Sequence, residues 1–386
     1  MSISSPRVEY QIPFNRPSFE GREREHMAAA LDGGHISGNG PFTKRSEGYL
    51  EELLGVPRVL LTTSCTDALE MAALLLDVGP EDEVIVPSFT FVSTAAAFAM
   101  RGAKPVFADI REDTLNVDPD HLASLVSPRT RVIVPVHYAG VACEMERIME
   151  IAEGAGSSVV EDNAHGLFAR RGGRLLGTYG RLATQSFHET KNITCGEGGA
   201  LVINDPSLVE RAEVIREKGT NRSRFLRGLV DKYTWTDLGS SFLPSDLLAA
   251  MLYGQLEVHA EIQARRHAIW DRYLANLEGW ASRTGVRLPT VPAGSEQPAH
   301  LFHLLTPTAQ GRDRLIAHLR SQGILAVFHY VPLHLSPMGR GFGGSDGDCP
   351  VTEDLSLRLV RLPLFNQLTV AEQDWVIECV TGFEDL

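Results

Sequence analysis

The segment TQSFHETKNITCGEGG (184–199) sets Lys191 among small and polar residues, with Gly196, Gly198 and Gly199 just beyond it. A solvated surface lysine needs no such surroundings, whereas a lysine that reacts as a free amine does. The segment VVEDNAH (159–165) puts Asp162 directly after an apolar run, where a carboxylate is costly to bury unless a cation faces it. The segment TTSCTDALE (62–70) follows another such run and opens a helical pattern. There Ser64, Cys65 and Thr66 would offer side-chain donors and backbone N–H groups to a phosphate. Taken singly, each has a plain structural reading: a solvated lysine, a turn aspartate, an N-cap hydroxyl. Taken together they describe a phosphate, a protonated ring nitrogen and an aldehyde, which is pyridoxal 5′-phosphate (PLP). Asp162 would keep the pyridine nitrogen positive so that the ring acts as an electron sink. Lys191 would condense with the aldehyde and later shuttle a proton.

Such residues must be brought together by a scaffold, and from residue 58 onward the pattern supplies one. Apolar, β-branched runs at 58–62, 83–87, 105–109, 131–136 and 157–162 alternate with helical patterns at 66–76, 91–100 and 144–154. Strands this apolar are covered on both faces, and strand–helix alternation predicts a mostly parallel sheet. Runs at 182–187 and 199–204 read as a hairpin flanking the Lys191 loop. Ligands of open α/β sheets sit beyond the carboxyl ends of the strands, where all three segments fall. The chain is helical around 205–218 and 244–276, and the proline-containing stretch 289–300 reads as a connection. An apolar run at 301–306, a helix near 312–321, a strand ILAVFHY (324–330) and a helix near 370–382 then make a smaller α+β domain. The expected division is 1–260, an N-terminal segment with a large α/β domain, and 261–386. The stretch GFGGSDGD (341–348) reads as a surface loop, and no repeat recurs at fixed spacing.

At 386 residues the chain is long enough for two domains. Its formal net charge of −13 argues against a nucleic-acid or anionic-membrane surface, so any anionic ligand must be held by a local pocket. The five cysteines, Cys65, Cys143, Cys195, Cys349 and Cys379, are dispersed and form no CxxC pair, so neither a disulfide framework nor a zinc site is expected. A reducing cytoplasm is the simplest compartment. MSISSPRVEYQIPF has no apolar core of signal-peptide length, and no uncharged run reaches the roughly 20 residues of a membrane span.

The motifs SFHETKN, GEGGA, PSFTFVSTA, PVHYAG and VFHYVPLH resemble the DegT/DnrJ/EryC1/StrS family of sugar aminotransferases over nearly the entire chain. Within it, EKGTNRS, VDKYTW and GSS are similar to the branch acting on dTDP-4-dehydro-6-deoxy-D-glucose, the dTDP-4-amino-4,6-dideoxygalactose transaminase type. The resemblance implies an aspartate-aminotransferase-like type I fold and a homodimer with active sites at the subunit interface. It implies a ping-pong transamination with L-glutamate as amino donor and pyridoxamine 5′-phosphate (PMP) as the intermediate carrier. Lys191 matches the lysine bound to the cofactor, Asp162 the pyridinium partner, and Ser64, Cys65, Thr66 and Ser186 the phosphate cup. Phe91 matches the aromatic residue stacked on the pyridine ring, against a plain reading as a core phenylalanine. His165 stands where the family has Gln or His near the cofactor's 3′-oxygen. Many members send an asparagine from the partner subunit to the phosphate. Here Leu243 stands at that position, so Ser240 or Ser241 would have to substitute. Arg222 and Arg224 in TNRSRF would meet a nucleotide diphosphate, and His329 and Tyr330 would line the sugar pocket.

A 3-keto sugar is the nearest alternative substrate. Deoxygenating members of the family have histidine in place of the lysine, so Lys191 speaks against that activity. A nicotinamide-dependent sugar oxidoreductase should show GxGxxG after its first strand, and none stands there. A catalytically idle binding protein should have lost Lys191 or Asp162. The gluco or galacto configuration at C4 stays open.

Overall fold

The computed structural model describes residues 10–386. Nine strands lie among the described residues up to 203: β1 (Arg58–Thr62), β2 (Glu83–Pro87), β3 (Lys104–Ala108), β4 (Thr130–Ile133), β5 (Ser158–Asp162), the short β6 (Arg170–Arg171) and β7 (Arg174–Leu175), β8 (Leu182–Ser186) and β9 (Gly199–Ile203). Seven form one sheet in the order β1-β9-β8-β5-β4-β2-β3. β9 alone runs against its neighbours, and the remaining pairings are parallel. The carboxyl ends of β1, β2, β5 and β8 therefore share one edge, and β9 begins at that edge.

Alternation along each strand explains why both faces are covered. Val84, Val86, Val132 and Leu60 pack with α3 (Cys65–Leu75) and α4 (Ser93–Ala99). Ile85 and Ile133 face the opposite way, toward the helix Met145–Ala155. Val59 and Leu61 meet α1 (Glu23–Asp32), α2 (Pro41–Leu54) and the helix Asp246–Glu257. The N-cap of α2 is Gly40, which has no side chain to offer. Buried Asp246 takes over, accepting from Phe42 N (3.1 Å), Thr43 N (2.7 Å) and Thr43 Oγ1 (2.8 Å), and so ties the two helices together.

Inside the sheet, fully buried Glu161 satisfies the turn before β8. It accepts from the N–H groups of Gly177 (2.8 Å), Tyr179 (2.6 Å) and Gly180 (2.8 Å), and from His137 Nε2 (3.0 Å). His137 Nδ1 accepts from Cys143 N (3.2 Å), so its proton sits on Nε2 and is donated to Glu161. Replacing Glu161 by alanine strands these donors in a dry interior. The expected cost is about 3–5 kcal/mol, read as a lowered urea midpoint; a loss under about 1 kcal/mol would contradict this role.

The second core gathers Ile269, Trp270, Tyr273, Leu277, Phe302, Leu304, Leu315 and Val376 with Ile12 from the other end of the chain. Its strands are β11 (Phe302–Leu305) and β12 (Leu359–Leu362), while β10 (Ser295–Glu296) pairs with β6. The expected division at 260/261 falls inside one helix, His259–Thr284, whose Ile262 packs with the large-domain core and whose Ile269 packs with the second. The expected strand over 324–330 is not formed. Only isolated bridges Ile12↔Ile324 and Val327↔Arg361 occur there, because Gln11–Pro13 and β12 each meet the segment at a single point. Residues 341–348 are a largely exposed loop, closed by the Arg340–Asp346 ion pair and by Ser345 donating to Asp348. No helix among the described residues is long and apolar enough to cross a membrane.

Candidate active site

A cavity of about 470 Å³ opens at the edge where the four parallel strands end. Ser64, Cys65, Thr66, Phe91, Asp162, His165, Ser186, Lys191, His329 and Tyr330 all line it. Residues separated by up to 266 positions in sequence, Ser64 and Tyr330, thus share one wall.

Asp162 closes β5 and is 5% exposed. Its backbone is fixed by bonds to Pro135 O (2.9 Å) and from His137 N (3.2 Å). Its carboxylate accepts from Thr94 Oγ1 (2.7 Å) and from Ala164 N (3.2 Å). No lysine, arginine or histidine lies within ion-pairing distance of it among the described residues. A buried carboxylate oriented this way and lacking a cation is prepared for one brought by a ligand.

Lys191 sits at the tip of the β8–β9 hairpin, whose strands extend through bonds from Phe187 N to Gly198 O (2.8 Å) and from Cys195 N to Phe187 O (3.0 Å). Lys191 N donates to His188 O (2.9 Å), making the turn. The next residue, Asn192, anchors the loop to the connection before β11. It donates to Pro298 O (2.6 Å) and Gln263 Oε1 (3.0 Å), and accepts from His300 Nδ1 (2.9 Å). Burial pushes the Lys191 ammonium down to about 8, although Cys65 and Asp162 oppose the shift.

Ser64 caps α3, accepting from Asp67 N (3.0 Å), and Thr66 Oγ1 meets Ser93 Oγ at 2.7 Å. Burial pushes the Cys65 thiol up to about 12, so it remains a protonated donor near Thr184. Gly199 pairs with Thr62 on one side and Ser186 on the other. A Cβ there would lie 2.4 Å from Cys65 N and 2.5 Å from Ser64 O, so only glycine lets β9 start this close to the cup. That close approach leaves a space walled by the Ser64–Thr66 turn and Ser186, with the amino end of α3 facing it.

Phe91 is 59% exposed, which sets aside its reading as a core phenylalanine. His165 Nδ1 accepts from Ala139 N (3.3 Å), and burial drives its pKa well below the ordinary histidine value, with Lys191 and Arg361 adding to the effect. The ring is therefore neutral, with its proton on Nε2. His329 Nδ1 meets the Tyr138 hydroxyl at 3.0 Å, and Tyr330 packs on Phe89 and Tyr138.

Other expected residues do not line the cavity of their own chain. Arg222 and Arg224 lie on the surface helix Arg222–Leu226, with Arg224 paired to Glu210 (2.8 Å). Ser240 and Ser241 are exposed, and Leu243 packs against Gly38. Sequence reasoning also missed wall residues: Thr94, Ser93, Asn15, Phe14, His300 and Arg361. Thr94 and Ser93 were within a quoted motif, PSFTFVSTA; the others come from outside the helix–strand pattern around the three segments.

Comparison with known proteins places this geometry in context. The family model described as DegT/DnrJ/EryC1/StrS aminotransferase family matches residues 17–381. The spore coat polysaccharide biosynthesis protein SpsC of Bacillus subtilis is 32% identical over 377 residues, covering 96% of each chain. The aminotransferase TlmJ of Streptoalloteichus hindustanus has a solved structure with a TM-score of 0.88 at 32% identity, covering 96% of this chain and 98% of that one. Spr1654 of Streptococcus pneumoniae, solved in a PLP form, gives a TM-score of 0.89 at 27% identity, covering 98% of this chain and 100% of that one. The α/β architecture is accordingly that of PLP-dependent aminotransferases, and this chain belongs to the DegT/DnrJ/EryC1/StrS aminotransferase family.

Proposed function

We propose that the protein moves an amino group from L-glutamate to C4 of dTDP-4-dehydro-6-deoxy-D-glucose, using PLP and its PMP form, in the cytoplasm. The observation that carries the transaminase reading is the pair formed by Lys191 and Asp162. One is a reactive-range amine and the other a buried carboxylate without a cation, and both face one cavity. The sugar assignment is supported by the similarity of EKGTNRS, VDKYTW and GSS to one branch of the family.

The residues present fit the cofactor. Ser64, Thr66, Ser186 and the amino end of α3 would hold its phosphate, with the thiol of Cys65 beside them. Asp162, oriented by Thr94, would hold the ring nitrogen, Phe91 would cover a ring face, and His165 Nε2–H would donate to the ring oxygen. When bound, PLP supplies an electron sink that stabilises charge at the carbon losing its proton. Lys191 Nζ takes the proton from the donor's α-carbon, and in the second half-reaction Lys191 delivers a proton to C4 of the sugar. His329 and Tyr330 would orient the sugar ring.

A homodimer completes this reading. Leu226 (62% exposed), Leu229 (62%), Trp235 (74%) and Leu238 (52%) sit in one segment with Arg222, Arg224, Ser240 and Ser241. Apolar side chains this exposed suit burial against a second copy. The arginines would then serve the nucleotide diphosphate, and Ser240 or Ser241 the phosphate, in the neighbouring subunit's cavity.

The test is to supply the PLP-loaded protein with L-glutamate and dTDP-4-dehydro-6-deoxy-D-glucose. The expected products are 2-oxoglutarate and a 4-amino-4,6-dideoxy sugar nucleotide in equal amounts, with NMR couplings giving the gluco or galacto configuration. Release of 2-oxoglutarate with no amino sugar would remove the sugar assignment. Amination of a 3-keto sugar alone would favour the alternative substrate.

A further inference from the structure

Asn192, the residue after Lys191, is tied by both ends of its amide to one corner of the chain, residues 297–300 and the helix beneath them. Both Nδ2 protons are used, on Pro298 O (2.6 Å) and on Gln263 Oε1 (3.0 Å), so Oδ1 is the acceptor. That oxygen lies 2.9 Å from His300 Nδ1, which must therefore carry the imidazole proton and donate it. Gln263 closes the ring of bonds by donating from Nε2 to Pro298 O at 3.1 Å. His300 is buried, and burial drives its pKa well below the ordinary histidine value, with His165 and Lys191 adding to the effect. The imidazole is thus neutral near pH 7 and held in one tautomer by the bond to Asn192.

The corner itself is held in a conformation that the chain would not adopt unaided. Ala299 has φ 51°, in the left-handed region that a residue with a Cβ occupies only at a cost. Its neighbours offset that cost. Ala299 N donates to Gln297 Oε1, and the buried Arg266 donates from Nε to Ala299 O (3.0 Å) and from Nη2 to His300 O (2.7 Å). Burial pulls the Arg266 guanidinium down to about 9, with no carboxylate among the described residues opposing the shift. Bent in this way, the chain brings Pro298 O and the His300 ring to the same amide. Gln263 and Arg266 stand one turn apart on the helix His259–Thr284, which packs with both cores. The Lys191 loop is therefore braced from the element that joins them.

We infer that His300 is a positioning residue for Lys191: acting through Asn192, it fixes the backbone from which the lysine amine reaches the cofactor and the substrate carbon. This rests on the transaminase reading above. A lysine amine stands at the end of four rotatable bonds, so its place is only as well defined as the backbone that carries it. At the hairpin tip the one backbone bond from Lys191 N to His188 O does not define that backbone by itself. A displacement of about 1 Å at a reacting atom costs on the order of 100-fold in rate. Lys191 moves a proton in both half-reactions, so loss of the brace should slow both alike, unlike loss of a substrate contact. The His300 ring also lies 4.3 Å from that of His165 at 30°, so one imidazole keeps the lysine loop and the side chain proposed to meet the cofactor's ring oxygen in register.

The test compares two substitutions in the full-length protein. His300→Phe keeps a ring against His165 and removes the Nδ1 donor, whereas His300→Asn returns an N–H donor at the same distance from the backbone. His300→Phe is expected to slow three rates by about 50-fold each: capture of PLP at Lys191, read as borohydride-fixed label against time, and the two single-turnover half-reactions. His300→Asn is expected to bring all three back to within about fivefold of wild type. Asn192→Ala should match His300→Phe, and the double variant should be no slower than either single one, because the two side chains act as a unit. Wild-type rates per bound cofactor, with only a lowered thermal midpoint, would make His300 a structural residue and overturn the inference. So would losses that multiply in the double variant, or a loss confined to one half-reaction, since His300 would then act on something other than Asn192. A wild-type protein that captures PLP but transfers no amino group would remove the transaminase reading, and the capture rates would still decide this inference.

Discussion

Lys191→Ala lowers turnover by about 10⁴-fold or more while leaving weak cofactor binding through the phosphate cup and Asp162. The size follows from two functions resting on one nitrogen, attack on the cofactor's aldehyde and movement of the substrate proton. Neither His165 nor His300 can take over, because burial holds both imidazoles well below ordinary histidine values and each already commits Nδ1, to Ala139 N and to Asn192. The lowered ammonium adds a second observable. With a value near 8 instead of 10.5, about a quarter of Lys191 is free amine at pH 7.5, against about a thousandth for an unperturbed lysine. The rate of cofactor uptake should therefore rise with pH and level off above about 8. A rate still climbing tenfold per unit at pH 9.5 would contradict the desolvated setting, and a Lys191→Ala protein with near-normal turnover would contradict the assignment altogether.

Asp162→Asn is expected to cost about 10²–10³-fold in turnover. The amide preserves shape and can still accept from Thr94 or Ala164, so folding should change little. What is lost is the negative charge that keeps the ring nitrogen protonated. Without it the proton leaving the donor's α-carbon departs from a weaker acid. Single-turnover rates in the glutamate half-reaction give the measurement, with thermal unfolding as the control for fold. A loss under about tenfold would mean that the ring nitrogen is held by something other than Asp162.

Much of this was legible in the sequence for a definite reason. β2 and β5 are buried on both faces, so EVIVP and SVVED each place adjacent β-branched residues, Val84–Val86 and Val159–Val160, side by side, and both are strands. Residues at or just past the carboxyl ends of β1, β2, β5 and β8 then had to lie on one sheet edge, which brought Ser64, Phe91, Asp162, Ser186 and Lys191 together. The α1 and α2 helices left a weaker trace, since α2 is capped by Asp246 from 203 residues away and not by its own Gly40. ILAVFHY looked like a strand because it is apolar and β-branched, yet it is pinned only at Ile324 and Val327. Arg361 was invisible for a related reason. Nothing in RLVRLPLF separates a guanidinium that points into a cavity from one that reaches water; only the pairing of β12 with β11 decides it. The placement of Arg222 and Arg224 on a surface helix outside the cavity was likewise beyond sequence, because a motif does not say which way its side chains face.

The most direct test of the account is borohydride reduction of the PLP-loaded protein followed by peptide mass mapping. The phosphopyridoxyl label is expected on the peptide containing Lys191 and to disappear in Lys191→Ala. A label on another lysine, or one that persists in the variant, would contradict the assignment of the cavity as the site where the cofactor is held and used.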